Sequence, residues 1–387
     1  MAKTRVAVIF GSRSVEHEVS IVTAHQIMEA LDRQQYDVIP VYITKQGQWY
    51  TGEALRQLDA FKNLDLAALD PVILPPQPGT RALTVTRPRG LWRSRPAIEV
   101  DVAFPALHGT FGEDGTLQGL LELADLPYVG AGVVGSAVGM DKIIMKAVFR
   151  ACGLPVVHYI PFLRQAWRDR PAAVLAQVEE SLGYPVFVKP ANLGSSVGIS
   201  KAKTADELRF ALDVACHYDR RLIVEASAEG AVEINCSVLG NDAPVASVCE
   251  QPVAWRDFLS YEDKYLRGGQ AKGLAGAQRR IPAPISPELT ARIQALAVDA
   301  FRAVDCRGIA RVDFLAFPDG DEVFVNEINT LPGSFSLYLW EPSGLSPAAL
   351  VDRLIQLAFE AHEEKQRTTY AYDSNLLQQV KLGGAKK

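Results

Sequence analysis

The chain has 387 residues with 48% hydrophobic content, enough for two or three domains with their own cores. Its net charge of -5 argues against nucleic acid or an anionic membrane as the main partner. Five cysteines (Cys152, Cys216, Cys236, Cys249, Cys306) form no C-x-x-C pair and sit singly in apolar segments, as reduced core thiols do. With no charged-then-apolar leader and no apolar run long enough to span a bilayer, a cytoplasmic protein is expected.

In chain order, Arg5 to Phe10 is a continuous apolar run ending at Gly11, and a helix is predicted from about Val15 to Leu31. The loop Gly11-Ser-Arg-Ser lacks the second and third glycines of the dinucleotide fingerprint, which argues against nicotinamide binding there. Glu16, His17 and Glu18 fall in the first turns of the helix, where acids favour the dipole even without a further role. Asp37 to Ile43 and Val100 to Ala106 read as further buried strands, and the Pro-rich stretch Pro71 to Pro78 as an insertion or linker between them. Arg87 to Arg95, arginines around Trp92, reads as an exposed loop rather than a nucleic-acid site. The stretch His108 to Gly119 follows a buried strand, where α/β proteins place ligand-binding loops, although a lone histidine there is more often structural than catalytic.

Asp141 is the predicted N-cap of a helix to about Ala151, with Gly153 and Pro155 as stop signals. A new domain starts there, centred on a strand Pro185 to Lys189, a Gly-Ser loop and a helix opened by Thr204-x-x-Glu207. Strands are expected at Leu222 to Glu225, Glu233 to Leu239 and Ala246 to Cys249, followed by a Gly-rich loop, Arg267 to Ala277. Ser286-Pro287 and Ser346-Pro347 each open a core-facing helix. The tail from about Glu364 is polar, unpatterned and expected to be mobile.

The chemistry concentrates in two adjoining strands. Side chains alternate along a strand, so Arg311 shares a face with Asp313, and Glu327 with Asn329. A turn centred near Gly320 pairs Asp313 with Glu327. Acids on one face of otherwise apolar strands need partners, and Mg²⁺ asks for such hard oxygens with substrate phosphates completing its shell. Lys189, at a strand end, precedes the small-residue loop Gly194-Ser195-Ser196-Val-Gly198, whose backbone N–H groups can approach phosphate oxygens; it is not the P-loop pattern.

Taken together, His17-Glu18-Val19-Ser20, His108 to Gly119, Met140-Asp-Lys142, Gly194 to Gly198, Asp263-Lys264-Tyr265, Arg311-x-Asp313 and Asn329-Thr-Leu-Pro-Gly333 resemble the D-alanine:D-alanine ligases. The resemblance runs from about residue 4 to residue 360 and implies an α/β, three-domain ATP-grasp architecture. An N-terminal Rossmann-like domain would span 1–138, a central subdomain 139–220, a C-terminal subdomain with the metal site 221–363 and a tail 364–387. It further implies ATP and two Mg²⁺ (or Mn²⁺) ions, two molecules of D-alanine, and a possible homodimer. Lys142 and Lys189 would contact ATP phosphates, with Ser196 and Lys264 also on the nucleotide and Glu225 and Glu233 on its adenine and ribose side. Asp313, Glu327 and Asn329 would hold the metals. Glu18 would bind the first D-alanine's ammonium beside Ser195 and Tyr265, with His108 near the reacting carboxylate. Arg311 and the backbone N–H of Gly333 would face the oxyanion.

The segment after Gly333 departs from the family's Thr-Ser-x-Ser pattern, reading Ser334-Phe-Ser336-Leu-Tyr338-Leu-Trp340. Ser336 and Tyr338 are the hydroxyls available to replace the family serine. That departure keeps D-Ala-D-lactate and D-Ala-D-Ser ligation open as alternatives on the same fold; a nucleotide sensor without turnover and another ATP-grasp enzyme such as a carboxylase are readings of a different class.

Overall fold

A computed structural model describes residues 2–86, 97–253, 279–318, 320 and 322–374. Three sheets organise it. The first begins with β1 (Thr4–Gly11), continuous with α1 (His17–Ala30) and β2 (Tyr36–Ile43). β1 lies parallel to β2 on one side and to β7 (Val102–Pro105) on the other. Every residue of β1 from Val6 onward is buried because the sheet is covered on both faces: Val6, Val8 and Phe10 enter one core while Ala7 and Ile9 enter another.

Of the two readings of the Pro-rich stretch, insertion or linker, the sheet fits an insertion: the segment between β2 and β7 adds strands, and β4 runs into the stretch itself. β3 (Trp49–Thr51), β4 (Asp70–Ile73), β5 (Ala82–Val85) and β6 (Ala97–Glu99) extend the sheet antiparallel, in the order β6-β5-β4-β3-β2-β1-β7. Pro71 escaped the strand reading because a proline lacks the N–H that a central strand needs. The arginine-rich stretch Arg87 to Arg95 lies outside the described residues.

After α2 (Thr116–Leu123) and α3 (Val133–Met140), Asp141 caps α4 (Lys142–Ala151) by accepting the N–H groups of Ile143 and Ile144. A four-stranded antiparallel sheet follows, built from β8 (Tyr159–Leu163), β9 (Val186–Pro190), β10 (Ser200–Ala202) and β11 (Arg221–Ala226), in the order β10-β9-β11-β8. Against it pack α6 (Pro171–Ser181), preceded by the short α5 (Arg164–Asp169), and α7 (Ala205–Tyr218). The expected boundary at residues 220/221 is therefore corrected: β11 hydrogen-bonds into the central sheet, and the chain changes sheets only after Ala226.

The third sheet has the order β14-β13-β12-β15-β16, from β12 (Val232–Gly240), β13 (Val245–Pro252), β14 (Arg279–Arg280), β15 (Gly308–Ala316) and β16 (Val323–Asn329). α8 (Pro287–Ala303), capped by Ser286, covers one face through Leu289, Ile293, Ala297, Ala300 and Phe301. Met145 and Phe149 of α4 enter this same core, although the sequence places α4 in the central subdomain. After the short α9 (Leu337–Trp340), the final helix α10 (Pro347–Gln366) returns to the N-terminal core, where Leu350, Leu354 and Leu357 meet Val6, Val8 and Phe104. The tail is also corrected at its start: Glu364, Lys365 and Gln366 are helical, with Lys365 paired to Glu122 and Gln366 bonded to Asp125 at 2.7 Å.

Candidate active site

The open face of the third sheet carries the chemistry because strand alternation sorts its residues. Ile234, Cys236, Val312, Phe314 and Ile328 point into the core under α8, while their neighbours point the other way. Register then aligns the polar neighbours laterally. Glu250 on β13 opposes Asn235 on β12, Asn235 opposes Asp313 on β15, and Asp313 opposes Glu327 on β16. One cross-strand row thus runs Glu250, Asn235, Asp313, Glu327. The expected pairing of Asp313 with Glu327 holds, and Arg311 opposes Asn329; beyond Asp313 the register shifts by one at a bulge, so that Phe314 faces Val325.

Arg311 forks onto Asp313, with Nε donating to Oδ1 at 2.6 Å and the second nitrogen to Oδ2 at 2.7 Å. Burial would weaken the guanidinium's charge, but Asp313 outweighs it, and Arg311 stays protonated. Asn329 donates its amide N–H to Asp313 Oδ2 at 3.0 Å, which turns its carbonyl oxygen away from that carboxylate. Lys142 Nζ lies 3.6 Å from Glu327 Oε2 and donates to the Leu193 carbonyl at 2.9 Å.

Arg311, Asn329, Glu327 and Lys142 line a cleft, while Asp313 is buried behind them. The opposite wall includes Glu16, His108, Glu113, Gly194, Ser195 and Ser196. A second cleft, lined by Lys189, Lys201, Glu225 and Asn326, shares Ser196, Glu233 and Glu327 with the first, so the two open into one another. At its inner end Glu225 is fully buried between Lys189 Nζ at 2.7 Å and Lys146 Nζ at 3.2 Å. Burial alone would raise the Glu225 carboxyl; the two ammonium groups outweigh it and hold it below its ordinary value. Lys146, which the sequence did not single out, pays for burial with a lowered pKa, while Lys189 is raised despite burial by Glu225 and Glu327.

The first-helix acid is corrected. Glu18 is exposed and pairs with Lys45, away from the cleft. Glu16, two residues earlier, is buried in the cleft wall and receives the Ser195 hydroxyl. The glycines around it make the space, since a Cβ on Gly109 would lie 2.7 Å from Glu16 Oε2 and one on Gly194 2.4 Å from it. His108 is buried, with Nδ1 bonded to the Leu331 carbonyl at 2.9 Å and Nε2 to the Thr23 hydroxyl at 2.9 Å. The carbonyl can only accept, so Nδ1 carries the proton and Nε2 accepts from Thr23. Burial, with Arg311 nearby, lowers its pKa to about 4. His108 is therefore neutral and has both ring nitrogens engaged, Nδ1 on the segment before Gly333 and Nε2 on Thr23 of α1, rather than presenting a free one to substrate. Glu113 makes the same tie, accepting the N–H groups of Gly109 at 2.6 Å and Leu331 at 3.1 Å; burial and then the charge of Glu16 push its carboxyl upward.

Gly333 lines the cleft and opens a turn in which Ser334, Phe335 and Ser336 have φ of 52°, 48° and 50°. Three successive L-residues in the left-handed region are strained, and the turn is locked by buried Phe335, which meets Phe104 edge to face with centroids 5.0 Å apart. It carries Tyr338 into the cleft wall, whereas Ser336 is buried and does not line it. Of the two hydroxyls available to replace the family serine, only Tyr338 reaches the cleft. Lys264, Tyr265 and the Gly-rich loop Arg267 to Ala277 lie outside the described residues.

Glu327 and Asn329 present hard oxygens to the cleft and fit Mg²⁺; Asp313, buried with both oxygens bonded to Arg311 and Asn329, would join them on exchanging one of those bonds. Among the described residues no three His, Cys, Asp or Glu side chains converge closely enough to hold a metal ion by themselves. Substrate phosphates would be needed to complete the shell. Among the described residues, no helix is long and apolar enough to cross a membrane.

The family model for the D-ala D-ala ligase N-terminus matches residues 5–131, and that for the C-terminus matches residues 148–356. A D-alanine--D-alanine ligase of Geobacillus thermodenitrificans is 44% identical over 380 residues, covering 96% of this chain and 100% of its own length. One from Solibacter usitatus is 46% identical over 373 residues, covering 95% of this chain and 99% of its own. The solved D-alanine-D-alanine ligase of Coxiella burnetii superposes with a TM-score of 0.78 at 35% identity, over 94% of this chain and 98% of that one. The VanG D-Ala:D-Ser ligase of Enterococcus faecalis gives 0.78 at 34% identity, over 92% of this chain and 100% of that one. Matched in both halves by these models and over nearly all of its length by these relatives, the chain belongs to the D-ala D-ala ligase family.

Proposed function

We propose that this protein joins two molecules of D-alanine into D-alanyl-D-alanine, using ATP and passing through a D-alanyl phosphate, for cell-wall precursor synthesis. The observation that carries this reading is the junction of the two clefts at Glu327. A nucleotide held along Lys189, Glu225 and Glu233 would deliver its terminal phosphate beside Lys142 and Glu327. There it would meet an amino acid whose ammonium rests against Glu16 and Ser195.

A carboxylate is a poor electrophile, and phosphorylation turns it into an acyl phosphate with a good leaving group. Lys142 and Lys189 place positive charge around the transferring phosphoryl group. Mg²⁺, held by Asp313, Glu327 and Asn329, would neutralise more of it. The amine of the second amino acid then attacks the acyl carbon, and inorganic phosphate leaves. Arg311 meets the oxyanion of that step as a fixed cation that Asp313 keeps oriented, with the Gly333 N–H as second donor. The five free cysteines, four of them buried, suit a cytoplasmic, reducing location.

The test is mass spectrometry of products formed from ATP, Mg²⁺ and D-alanine, alone and against D-serine, D-lactate and L-alanine. D-Ala-D-Ala as the main product is expected. ATP hydrolysis with no dipeptide from any mixture would overturn the reading.

A further inference from the structure

The cross-strand row has two ends, and the ligase reading uses only one. At the far end Glu250 is 2% exposed and Asn235 4% exposed, and both line the cleft. Glu250 Oε1 accepts from the Tyr338 hydroxyl at 2.9 Å and from Asn235 Nδ2 at 3.2 Å. Among the described residues its other oxygen, Oε2, and the neighbouring Asn235 Oδ1 are buried and accept no hydrogen bond. Arg279 Nε lies 3.7 Å from Oε2, too far to donate, because its guanidinium is stacked on the Tyr338 ring with 3.7 Å to the centroid. A buried acceptor left without a donor costs about 1–3 kcal/mol, and more for a charged group. Two such atoms side by side in a substrate cleft call for a donor supplied by substrate.

The site's other charges assign that donor by elimination. Phosphate belongs to the Glu327 and Lys142 end of the row, the reacting carbonyl to Arg311 in its middle, and the acyl donor's ammonium to Glu16 on the opposite wall. The strained turn at Ser334–Ser336 has a use here, since it sets Tyr338 where its hydroxyl fixes the Glu250 carboxylate.

We propose that Glu250 and Asn235, held by Tyr338, bind the ammonium of the acyl acceptor and thereby select an amine over a hydroxy acid. This inference rests on the ligase reading above. A D-hydroxy acid has the same carboxylate and the same methyl group as D-alanine, but its single uncharged O–H can donate to only one of the two acceptors and leaves the other unsatisfied and the carboxylate without a counter-charge. The Gln side chain of Glu250→Gln keeps the shape and removes the charge.

The experiment compares wild type, Glu250→Gln and Tyr338→Phe in two measurements. Initial rates against D-alanine resolve the donor-site and acceptor-site KM values. Mass spectrometry gives the ratio of D-Ala-D-Ala to D-Ala-D-lactate from equimolar D-alanine and D-lactate at pH 7. Loss of a charge-assisted bond predicts that Glu250→Gln raises the acceptor KM about tenfold, leaves the donor KM within about twofold, and moves the product ratio about tenfold toward the depsipeptide. Tyr338→Phe, which removes a single hydroxyl and covers the case in which Glu250→Gln fails to fold, moves both readouts the same way by a smaller factor. An unmoved ratio in the folded variants, or equal rises in both KM values, overturns the assignment. Absence of dipeptide from wild type would instead overturn the ligase reading itself.

Discussion

Glu16 and Glu18 differ by two positions in one helical turn, yet only Glu16 reaches the cleft. The motif His17-Glu18-Val19-Ser20 was readable; which acid faces inward was not, because the choice depends on Gly109 and Gly194, far apart in sequence, vacating the space that Glu16 fills. On the proposed binding mode, Glu16→Gln should cut kcat/KM by about two orders of magnitude, since it would remove the charge that meets the substrate ammonium. Glu18→Gln, which loses only an exposed pair with Lys45, should stay within about twofold of wild type. Steady-state kinetics on both variants decides between them. Glu250 and Asn235 could have been found by the rule that found Asp313, a polar residue on the open face of an apolar strand.

His108 supports a pH prediction. Its folded pKa of about 4 lies below its ordinary value of 6.5, so the unfolded chain binds the proton more readily between these limits. The neutral ring contributes stability above pH about 6.5, and that contribution is lost as pH falls toward 4, by about 3 kcal/mol in all. Denaturant unfolding between pH 7 and 4 should show a shallower loss in His108→Gln than in wild type. An identical slope would remove His108 as a source of the acid sensitivity.

At the scale of elements, alternation and turn position were enough to pair Asp313 with Glu327, because a buried strand tolerates only one register. The bulge after Asp313 was not readable: it comes where the Val325 N–H donates to the Pro155 carbonyl at 2.7 Å, a contact from another part of the chain. The spacing of Leu350, Leu354 and Leu357 marked α10 as core-facing, but not which core it faces. It closes the N-terminal core rather than the sheet that precedes it in the chain. Leu354, fully buried there, should cost about 3 kcal/mol when changed to Ala, measured as a lower denaturant midpoint with an unchanged slope.

At the scale of the molecule, family resemblance gave the three-part architecture, and two assignments failed where an element packs away from its neighbours in sequence. β11 stays with the central sheet, and α4 joins the core of the third. The cores are built from apolar side chains throughout, so none depends on a metal to close. A chelator such as EDTA should therefore stop ligation while leaving the melting temperature in the absence of nucleotide within about 1 °C. Coincident loss of activity and of fold would mean that the ion is structural.

Neighbouring strands lie about 4.8 Å apart, so the three steps from Glu327 to Glu250 measure about 14 Å across the sheet. Backbone hydrogen bonds, not side chains, set that length, and the sheet works as a ruler along which Glu327, Asp313, Asn235 and Glu250 are spaced. Substitution along the row alters the marks without moving them. Inserting or deleting one residue would turn the following side chains over, presenting Val312 or Phe314 where Asp313 stood in β15, or Ile234 or Cys236 where Asn235 stood in β12. Within these strands this chain can therefore take a substitution more readily than a change of length.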